Sequence, residues 1–297
     1  MGKAMGKTAF VLAGGGSLGA VQVGMLEALL EAGVTPDLVV GSSVGALNAG
    51  FFAGDPTARG VKDLAGIWRG LRRADVFPLT LRSALRWLGP ADALFESTNL
   101  RRLIERHLPY RNLEDAPVPV HVVATSLGGM SVRLSSGPAV EAILASAAIP
   151  AVFPSVEIGV EHLMDGAISG NTPILTAAEL GAGRLIVLPT GFSCALTRPP
   201  RGAMGRGLHA LTLLIAHRSS DGARPDAPVR NRRGLHLAEP LPLGRLTLRF
   251  QPDRVADCPR HKRDPSLDRR RRPDPPASPR RAAPARALMR PLAFDGH

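Results

Sequence analysis

A serine between two glycines, in the sequence VVGSSVGALNAG, has the arrangement of a catalytic nucleophile. Gly41, Ser43 and Gly45 form a G-x-S-x-G motif, which follows the apolar residues 38–40 and precedes a predicted helix from about residue 44. A tight turn from a strand to a helix needs glycines at both flanks, and it lifts the serine oxygen clear of the sheet edge. The helix N-terminus offers free N–H groups to a developing negative charge. Ser43 is therefore the predicted nucleophile, with a purely structural turn as the alternative.

An earlier glycine-rich stretch, FVLAGGGSLGA, fits three kinds of site. Gly14, Gly16 and Gly19 spell the G-x-G-x-x-G of a dinucleotide-binding loop. Ser17 stands in a second G-x-S-x-G, which makes it a rival nucleophile. Finally, adjacent glycines can present backbone N–H groups to an anion, as the oxyanion of acyl transfer requires.

Two observations separate the three interpretations. A dinucleotide site needs an acidic residue at the end of the next strand, but that strand ends in Gly41-Ser42-Ser43, and Asp37 precedes it. The three glycines ahead of Ser17 make a loose turn where a nucleophile needs a strained one. The loop is therefore interpreted as an anion cradle beside Ser43, with a closely packed glycine turn as the alternative.

A nucleophilic serine needs a base, and none of the eight histidines stands in a glycine-flanked loop at the end of a strand. Asp165 does, because in HLMDGAISGNTP it follows an apolar run and precedes Gly166. A carboxylate takes a serine proton directly when it is held within hydrogen-bond reach and is partly desolvated, which raises its pKa. Asp165 is the candidate base, and an Asp-Gly hairpin turn is an equally open alternative.

The order of these motifs resembles that of the patatin-like phospholipases. The motifs are the glycines of residues 14–19, the Ser43 turn, the block ASAAIPAVFPS at residues 145–155, and Asp165-Gly166-Ala167. The resemblance covers about residues 7–216. It implies a three-layer α/β/α fold with a mostly parallel central sheet.

The resemblance also implies a chemistry, that of a serine acyl-hydrolase (lipase, phospholipase or esterase) acting on lipid carboxylic esters. Ser43 would be the nucleophile and Asp165 the base of a Ser-Asp dyad without histidine. The amides of Gly14, Gly15 and Gly16 would form the oxyanion hole. One departure is Leu18, which stands where many members have arginine or lysine before the last glycine of the first motif.

The elements that must position these residues alternate along the chain. The strand-like runs TAFVLA, LVVGS, VPVHVVATS and RLIVLPT are separated by helix-like segments, which predicts a mostly parallel α/β sheet with helices on both faces. Residues 56–110 instead indicate several helices without a strand. One of these helices has an apolar face made of Leu100, Leu103, Ile104 and Leu108. Ser97 or Thr98 is its predicted cap.

The positive charge is concentrated in the last 81 residues. Residues 1–216 carry 18 Lys and Arg against 16 Asp and Glu, whereas residues 217–297 carry 19 against 9 and supply +10 of the net +12. With 18 Arg, 13 Pro and little apolar periodicity, the second segment is not expected to fold by itself. We predict an acyl-hydrolase domain at residues 1–216 and an Arg/Pro-rich tail at 217–297, either disordered or read in a shifted frame. An arm that binds nucleic acid or acidic lipid is the alternative.

Nucleic acid is nevertheless not an expected partner, because no aromatic residue interrupts the arginine runs to stack on bases. The longest apolar stretch, LHALTLLIA, is less than half of the roughly 20 residues that a membrane span needs. The apolar run after Lys7 is too short for a secretory signal and is interpreted as a strand. Cys194 and Cys258 suggest neither a disulfide framework nor a metal site. We expect a cytoplasmic protein without cofactor or metal, which acts on a lipid or ester and meets membranes only at their surface.

The segment VFPLTLRSALRWLGPADALF, residues 76–95, is the candidate for contact with acyl chains. It combines arginines with the large apolar residues Phe77, Leu81, Leu85, Trp87 and Leu88. Ordinary core packing explains the same pattern. Two other functions remain open: a catalytically silent binding module of the same fold, and a dinucleotide-binding oxidoreductase.

Overall fold

The computed structural model describes residues 6–77 and 93–190, the strand His236–Leu237 and nine helical residues between positions 202 and 215. The strands are β1 (Lys7–Leu12), β2 (Leu38–Ser42), β3 (Val120–Ser126), β4 (Ser131–Leu134), β5 (Val156–Ile158), β6 (Glu161–Met164), β7 (Ala182–Leu188) and β8 (His236–Leu237). The helices are α1 (Ala20–Glu31), α2 (Val44–Gly54), α3 (Ala58–Gly70), α4 (Arg73–Val76), α5 (Thr98–His107), α6 (Ala139–Ser146), α7 (Ala167–Gly170) and α8 (Ile174–Glu179). Short 3-10 turns occupy Gly16–Gly19 and Leu113–Asp115.

The strands form one sheet in the order β5-β6-β3-β2-β1-β7-β8, with β4 also paired to β3. β1, β2, β3, β7 and β8 run parallel, whereas β4, β5 and β6 add an antiparallel section beside β3. Leu12 is aligned with Gly41, and Ser42 with Val123, so the carboxyl ends of the three central strands meet at one edge. The predicted, mostly parallel α/β sheet is confirmed.

Helices cover both faces of this sheet. Successive side chains of a strand point to opposite faces, so each central strand contributes to two apolar clusters. Phe10 and Leu12 pack on one face with residues of α1, α2, α3, α5 and α6. Ala9 and Val11 pack on the other face with Ala177 of α8. All five residues of β2 are buried, as expected of a central parallel strand. The three-layer α/β/α prediction is thereby confirmed.

The part of residues 56–110 that the structure describes contains helices and no strand, as predicted. In α5, Leu100 and Ile104 are buried and Leu103 and Leu108 pack against the same cluster, which confirms the predicted apolar face. Ser97 occupies the N-cap position of α5, so the predicted cap residue is confirmed. Ser97 precedes the helix, but its side chain accepts no hydrogen bond there, because its φ of −75° and ψ of 2° are not the extended conformation that a capping residue adopts.

Several expectations concern residues that are only partly described. Of the segment 76–95, residues 78–92 lie outside the described chain. Phe77, at its start, packs edge-on against Phe95 with centroids 5.5 Å apart and stacks on Phe153 at 5.6 Å, so it belongs to the core. In the predicted tail, the strand β8 pairs with β7. None of the described helices is long and apolar enough to span a bilayer.

Candidate active site

Ser43 lies at the turn between β2 and α2 in a backbone conformation that is costly for any residue but glycine. Its φ is 54° and its ψ is −127°. Strain of this kind costs about 1–3 kcal/mol and persists only where the surrounding structure holds it. The turn is also closely packed, because a Cβ on Gly45 would collide with the carbonyl oxygens of Leu12 and Ala13. This is the sharp strand-to-helix turn that the G-x-S-x-G motif predicts.

Asp165 follows β6 and lies directly against Ser43. The Ser43 Oγ donates a hydrogen bond to Asp165 Oδ2 at 2.7 Å, and the Ala167 amide donates to Oδ1 at 2.8 Å. Thr125 Oγ1 donates to the Asp165 carbonyl oxygen at 2.8 Å, which fixes the backbone. Asp165 and Gly166 lead into α7 and do not form a hairpin turn, so that alternative is wrong. Both Ser43 and Asp165 are buried, with exposed fractions of 6% and 3%.

The burial of this pair changes the acidity of the carboxyl group. Desolvation raises the pKa of Asp165 from 3.8 to about 6, and the hydrogen bonds from Ser43 and Ala167 offset part of that rise. The group is therefore still ionised at neutral pH, yet it accepts a proton more readily than a solvated aspartate. The pair can transfer the serine proton to the carboxylate while Oγ attacks an electrophile.

Ser146 is a residue of the site that sequence reasoning missed. It ends α6 and is fully buried. Its Oγ accepts a hydrogen bond from the Ser43 amide at 2.8 Å and donates one to the Val123 carbonyl oxygen at 2.5 Å. One hydroxyl thus joins α6, β3 and the nucleophile turn. The only signal in the sequence was that Ser146 lies in the block at residues 145–155.

The glycine loop lies beside Ser43, since a Cβ on Gly14 would be 3.1 Å from the Ser43 Cβ. Its three amides differ in their partners. The Gly14 N–H donates to the Asn171 carbonyl oxygen at 2.9 Å and is already engaged within the protein. The Gly15 and Gly16 amides donate to no acceptor in the described residues. These two N–H groups are the ones that remain available to an anion.

The dinucleotide-site and Ser17-nucleophile interpretations of this loop lose support from the geometry. Ser17 lies exposed in the 3-10 turn, and its hydroxyl has no hydrogen-bond partner in the described part of the chain. Asp37 accepts a hydrogen bond from the Thr8 amide at 2.7 Å, at the amino-terminal edge of the sheet and far from the glycines. Among the described residues, no three His, Cys, Asp or Glu side chains are grouped so as to hold a metal ion.

Comparison with known protein families agrees with this geometry. The family described as patatin-like phospholipase matches residues 10–178, which is more than half of the chain and includes both Ser43 and Asp165. The chain belongs to the patatin-like phospholipase family. The matched region extends from within β1 to within α8, so it contains the nucleophile turn, the glycine loop and Ser146.

Relatives in this family are much longer than the region they share with the chain. Patatin-like phospholipase domain-containing protein 7 of Rattus norvegicus is 28% identical over 186 residues, which are 62% of this chain and 13% of the rat protein. An uncharacterized NTE family protein of Mycobacterium bovis is 30% identical over 191 residues, 63% of this chain and 50% of that protein. Among solved structures, VipD from Legionella pneumophila has a TM-score of 0.45 and 16% identity, over 73% of this chain and 55% of VipD.

Proposed function

We propose that this member of the patatin-like phospholipase family is a serine acyl-hydrolase that cleaves the carboxylic esters of lipids. The observation that carries the proposal is the hydrogen bond of 2.7 Å from the Ser43 Oγ to the buried carboxylate of Asp165. A serine hydroxyl that points at a desolvated carboxylate, from a strained turn at a helix N-terminus, has the arrangement of an activated nucleophile.

In the first half of the reaction, Ser43 Oγ attacks the ester carbonyl carbon and its proton passes to Asp165 Oδ2. The carbonyl electron pair moves onto the oxygen, which becomes a tetrahedral oxyanion. The amides of Gly15 and Gly16, which donate to no acceptor within the described residues, stabilise that charge with help from the N-terminus of α2. When the intermediate collapses, the bond to the alcohol breaks, the leaving oxygen takes the proton from Asp165, and the acyl group stays on Ser43.

In the second half, water replaces the alcohol. Asp165, ionised again, takes a proton from the water as its oxygen attacks the acyl carbon. The same amides stabilise the second oxyanion. Collapse breaks the bond to Ser43 Oγ, which recovers its proton from Asp165, and the carboxylic acid leaves. Each proton taken by Asp165 is returned within the same half-reaction, so the enzyme ends unchanged.

Support for a lipid substrate comes from the family and from the edge of the sheet that carries the site. Leu127 and Met130 lie in the turn after β3, at the edge where β2 ends next to Ser43. They are 66% and 70% exposed, so this edge of the sheet presents two large apolar side chains to solvent. We propose that this edge contacts acyl chains at a membrane surface. The cytoplasmic location predicted from the sequence remains a prediction.

The test is labelling with a fluorophosphonate probe followed by peptide mapping. Wild type should be labelled on Ser43, and Ser17→Ala, the matched control in the other G-x-S-x-G, should label equally. Ser43→Ala should lose all labelling. Asp165→Asn should react at least about 100-fold more slowly, because loss of a general base usually costs 10²–10⁴-fold. Labelling retained in Ser43→Ala, or a folded wild type that does not react, would reject the proposal in favour of a silent binding module or a cofactor-dependent enzyme.

A further inference from the structure

Three buried or half-buried side chains, joined to one another by hydrogen bonds, hold the glycine loop at both of its ends. Gln22 of α1 donates through Nε2 to the carbonyl oxygens of Ala13 at 2.8 Å and Leu188 at 2.9 Å. Asn48 of α2 donates through Nδ2 to Gln22 Oε1 at 2.8 Å and to the Gly19 carbonyl oxygen at 2.9 Å. Trp68 of α3 donates through Nε1 to Asn48 Oδ1 at 2.9 Å. Ala13 and Gly19 flank the loop at residues 14–18.

We propose that Gln22 and Asn48 are positioning residues that fix the Gly15 and Gly16 amides in the geometry that an oxyanion requires; the inference rests on the proposed function. Both side chains are fully buried, and among the described residues neither side chain forms a hydrogen bond with Ser43 or Asp165. They act through the backbone of the loop: Gln22 holds its entrance against the end of β7, and Asn48 holds its exit against α2. Because Ser43 begins the turn into α2, the same helix carries both the nucleophile and the anchor of the loop.

The donor and acceptor groups available at Gln22, Asn48 and Trp68 determine the direction of each hydrogen bond among them. Backbone carbonyl oxygens only accept, so Gln22 must present its NH₂ group to Ala13 and Leu188. Its oxygen then faces Asn48, which must present its own NH₂ group. At the other end the indole N–H of Trp68 only donates, so Asn48 must offer its oxygen there. Only a side-chain amide both donates and accepts in this way, so apolar or acidic replacements at Gln22 or Asn48 leave buried groups unpaired.

The functional consequence follows from the demands of the oxyanion. Catalysis needs the donors within about 2.7–3.1 Å of the place where the charge develops, and losing one donor costs about 10²–10³-fold in kcat. A loop that is free to shift keeps its amides but loses their alignment. Such a shift lowers stabilisation of the transition state more than binding of the ground state, so kcat falls and KM changes little.

The experiment compares full-length wild type, Gln22→Met, Trp68→Phe and the control Tyr110→Phe. Tyr110 also donates one hydrogen bond to α2, from its hydroxyl to the Gly50 carbonyl oxygen at 2.9 Å, but it does not reach the loop. The measurements are kcat and KM for p-nitrophenyl butyrate, and hydrogen–deuterium exchange of the peptide that contains residues 13–20. We expect Gln22→Met to lower kcat by about 10–100-fold with KM changed less than about 3-fold, and to accelerate exchange in that peptide.

Trp68→Phe removes only the hydrogen bond to Asn48 that lies furthest from the loop, so it should lower kcat and accelerate exchange by smaller factors than Gln22→Met does. If Gln22→Met does not fold, the result for Trp68→Phe decides whether the inference holds. Tyr110→Phe should match wild type in both. The inference is overturned if the Gln22 and Trp68 variants are no different from Tyr110→Phe. If wild type hydrolyses no ester but exchange in the loop still accelerates in Gln22→Met, the proposed function fails and the anchoring of the loop stands. If wild type hydrolyses no ester and exchange in the loop is not accelerated in Gln22→Met, both the proposed function and the anchoring of the loop are rejected.

Discussion

The amide N–H of Ser43 donates to the hydroxyl of Ser146, 2.8 Å away, so the backbone of the proposed nucleophile is held by a side chain from another helix. The Ser146 hydroxyl is itself directed by the Val123 carbonyl oxygen. This bond stabilises a turn in which Ser43 has a φ of 54°. It also engages the Ser43 amide, which is why we propose that the donors for an oxyanion come from the neighbouring glycine loop.

Replacement of Ser146 by alanine should therefore weaken both the fold and the chemistry. The change leaves the buried Ser43 amide without its acceptor and removes one donor to the Val123 carbonyl oxygen, and we expect the free energy of unfolding to fall by about 1–3 kcal/mol. The rate of reaction with a fluorophosphonate should fall as well, because the strained turn relaxes. Urea unfolding and the inactivation rate measure the two effects. Ser126→Ala is the control, since Ser126 Oγ accepts from the Met130 amide at 3.2 Å in an exposed turn; equal behaviour of the two variants would contradict the prediction.

The rate of acylation should follow the ionisation of Asp165. Because burial raises the pKa of Asp165 to about 6, the carboxylate that accepts the serine proton is lost as the pH falls through that value. The inactivation rate should rise about tenfold per pH unit below pH 6 and level off above it. Ionisation of a carboxyl group has an enthalpy near zero, unlike that of imidazole, so the midpoint should not move with temperature. A midpoint that shifts on heating would point to a histidine as the base.

Much of this arrangement was readable from the sequence, because it depends on local geometry. A glycine-flanked serine between an apolar strand and a helix defines its own turn, and β2 and α2 begin and end close to where the pattern of residues places them. An aspartate after an apolar run is similarly placed at a strand end. Register then brings the two together, since β6 pairs with β3 and β3 with β2.

The pairing of Ser43 with Asp165, 122 residues apart, was implied by the family resemblance, but other contacts between residues far apart in sequence were not readable. Ser146 lies 103 residues from Ser43, and nothing in its own surroundings separates a serine that ends a helix from one that holds a nucleophile. Likewise the bond from the Gly14 amide to the Asn171 carbonyl distinguishes it from Gly15 and Gly16, although the three glycines are adjacent. The missing side-chain hydrogen bond at the N-cap Ser97 was equally hidden, because the local backbone conformation, and not the residue type, decides whether the side chain can reach the helix.

Asp165→Asn should stabilise the protein at high pH while it abolishes activity. The folded pKa of about 6 lies above the ordinary value of 3.8, so the folded protein binds this proton more tightly than the unfolded chain does. This tighter binding of the proton to Asp165 contributes about 3 kcal/mol of stability, which is present below about pH 4 and is lost as the pH rises through 6. Asparagine stays neutral at every pH, so the variant keeps this stability above pH 6. Urea unfolding should show the variant more stable than wild type by about 1–3 kcal/mol at pH 8 and similar at pH 4. A variant that is less stable than wild type at pH 8 would contradict the prediction, because it would mean that the buried, ionised carboxylate of Asp165 does not destabilise the folded protein.

Alanine in place of glycine should have opposite effects at two helical positions. A Cβ on Gly45, in the first turn of α2, would meet the carbonyl oxygens of Leu12 and Ala13, and backbone atoms of a central strand cannot move aside. We expect Gly45→Ala to lower the free energy of unfolding by more than about 3 kcal/mol, or to prevent folding, as overpacking of a rigid site does.

Gly66 lies inside α3 with open space around its Cβ position, so Gly66→Ala should raise stability by about 0.5–1 kcal/mol through better helix propensity. Thermal and urea unfolding of the two variants measure the contrast. A well-folded Gly45→Ala with normal labelling of Ser43 would mean that β1 and α2 are not packed as closely as the carbonyl contacts indicate.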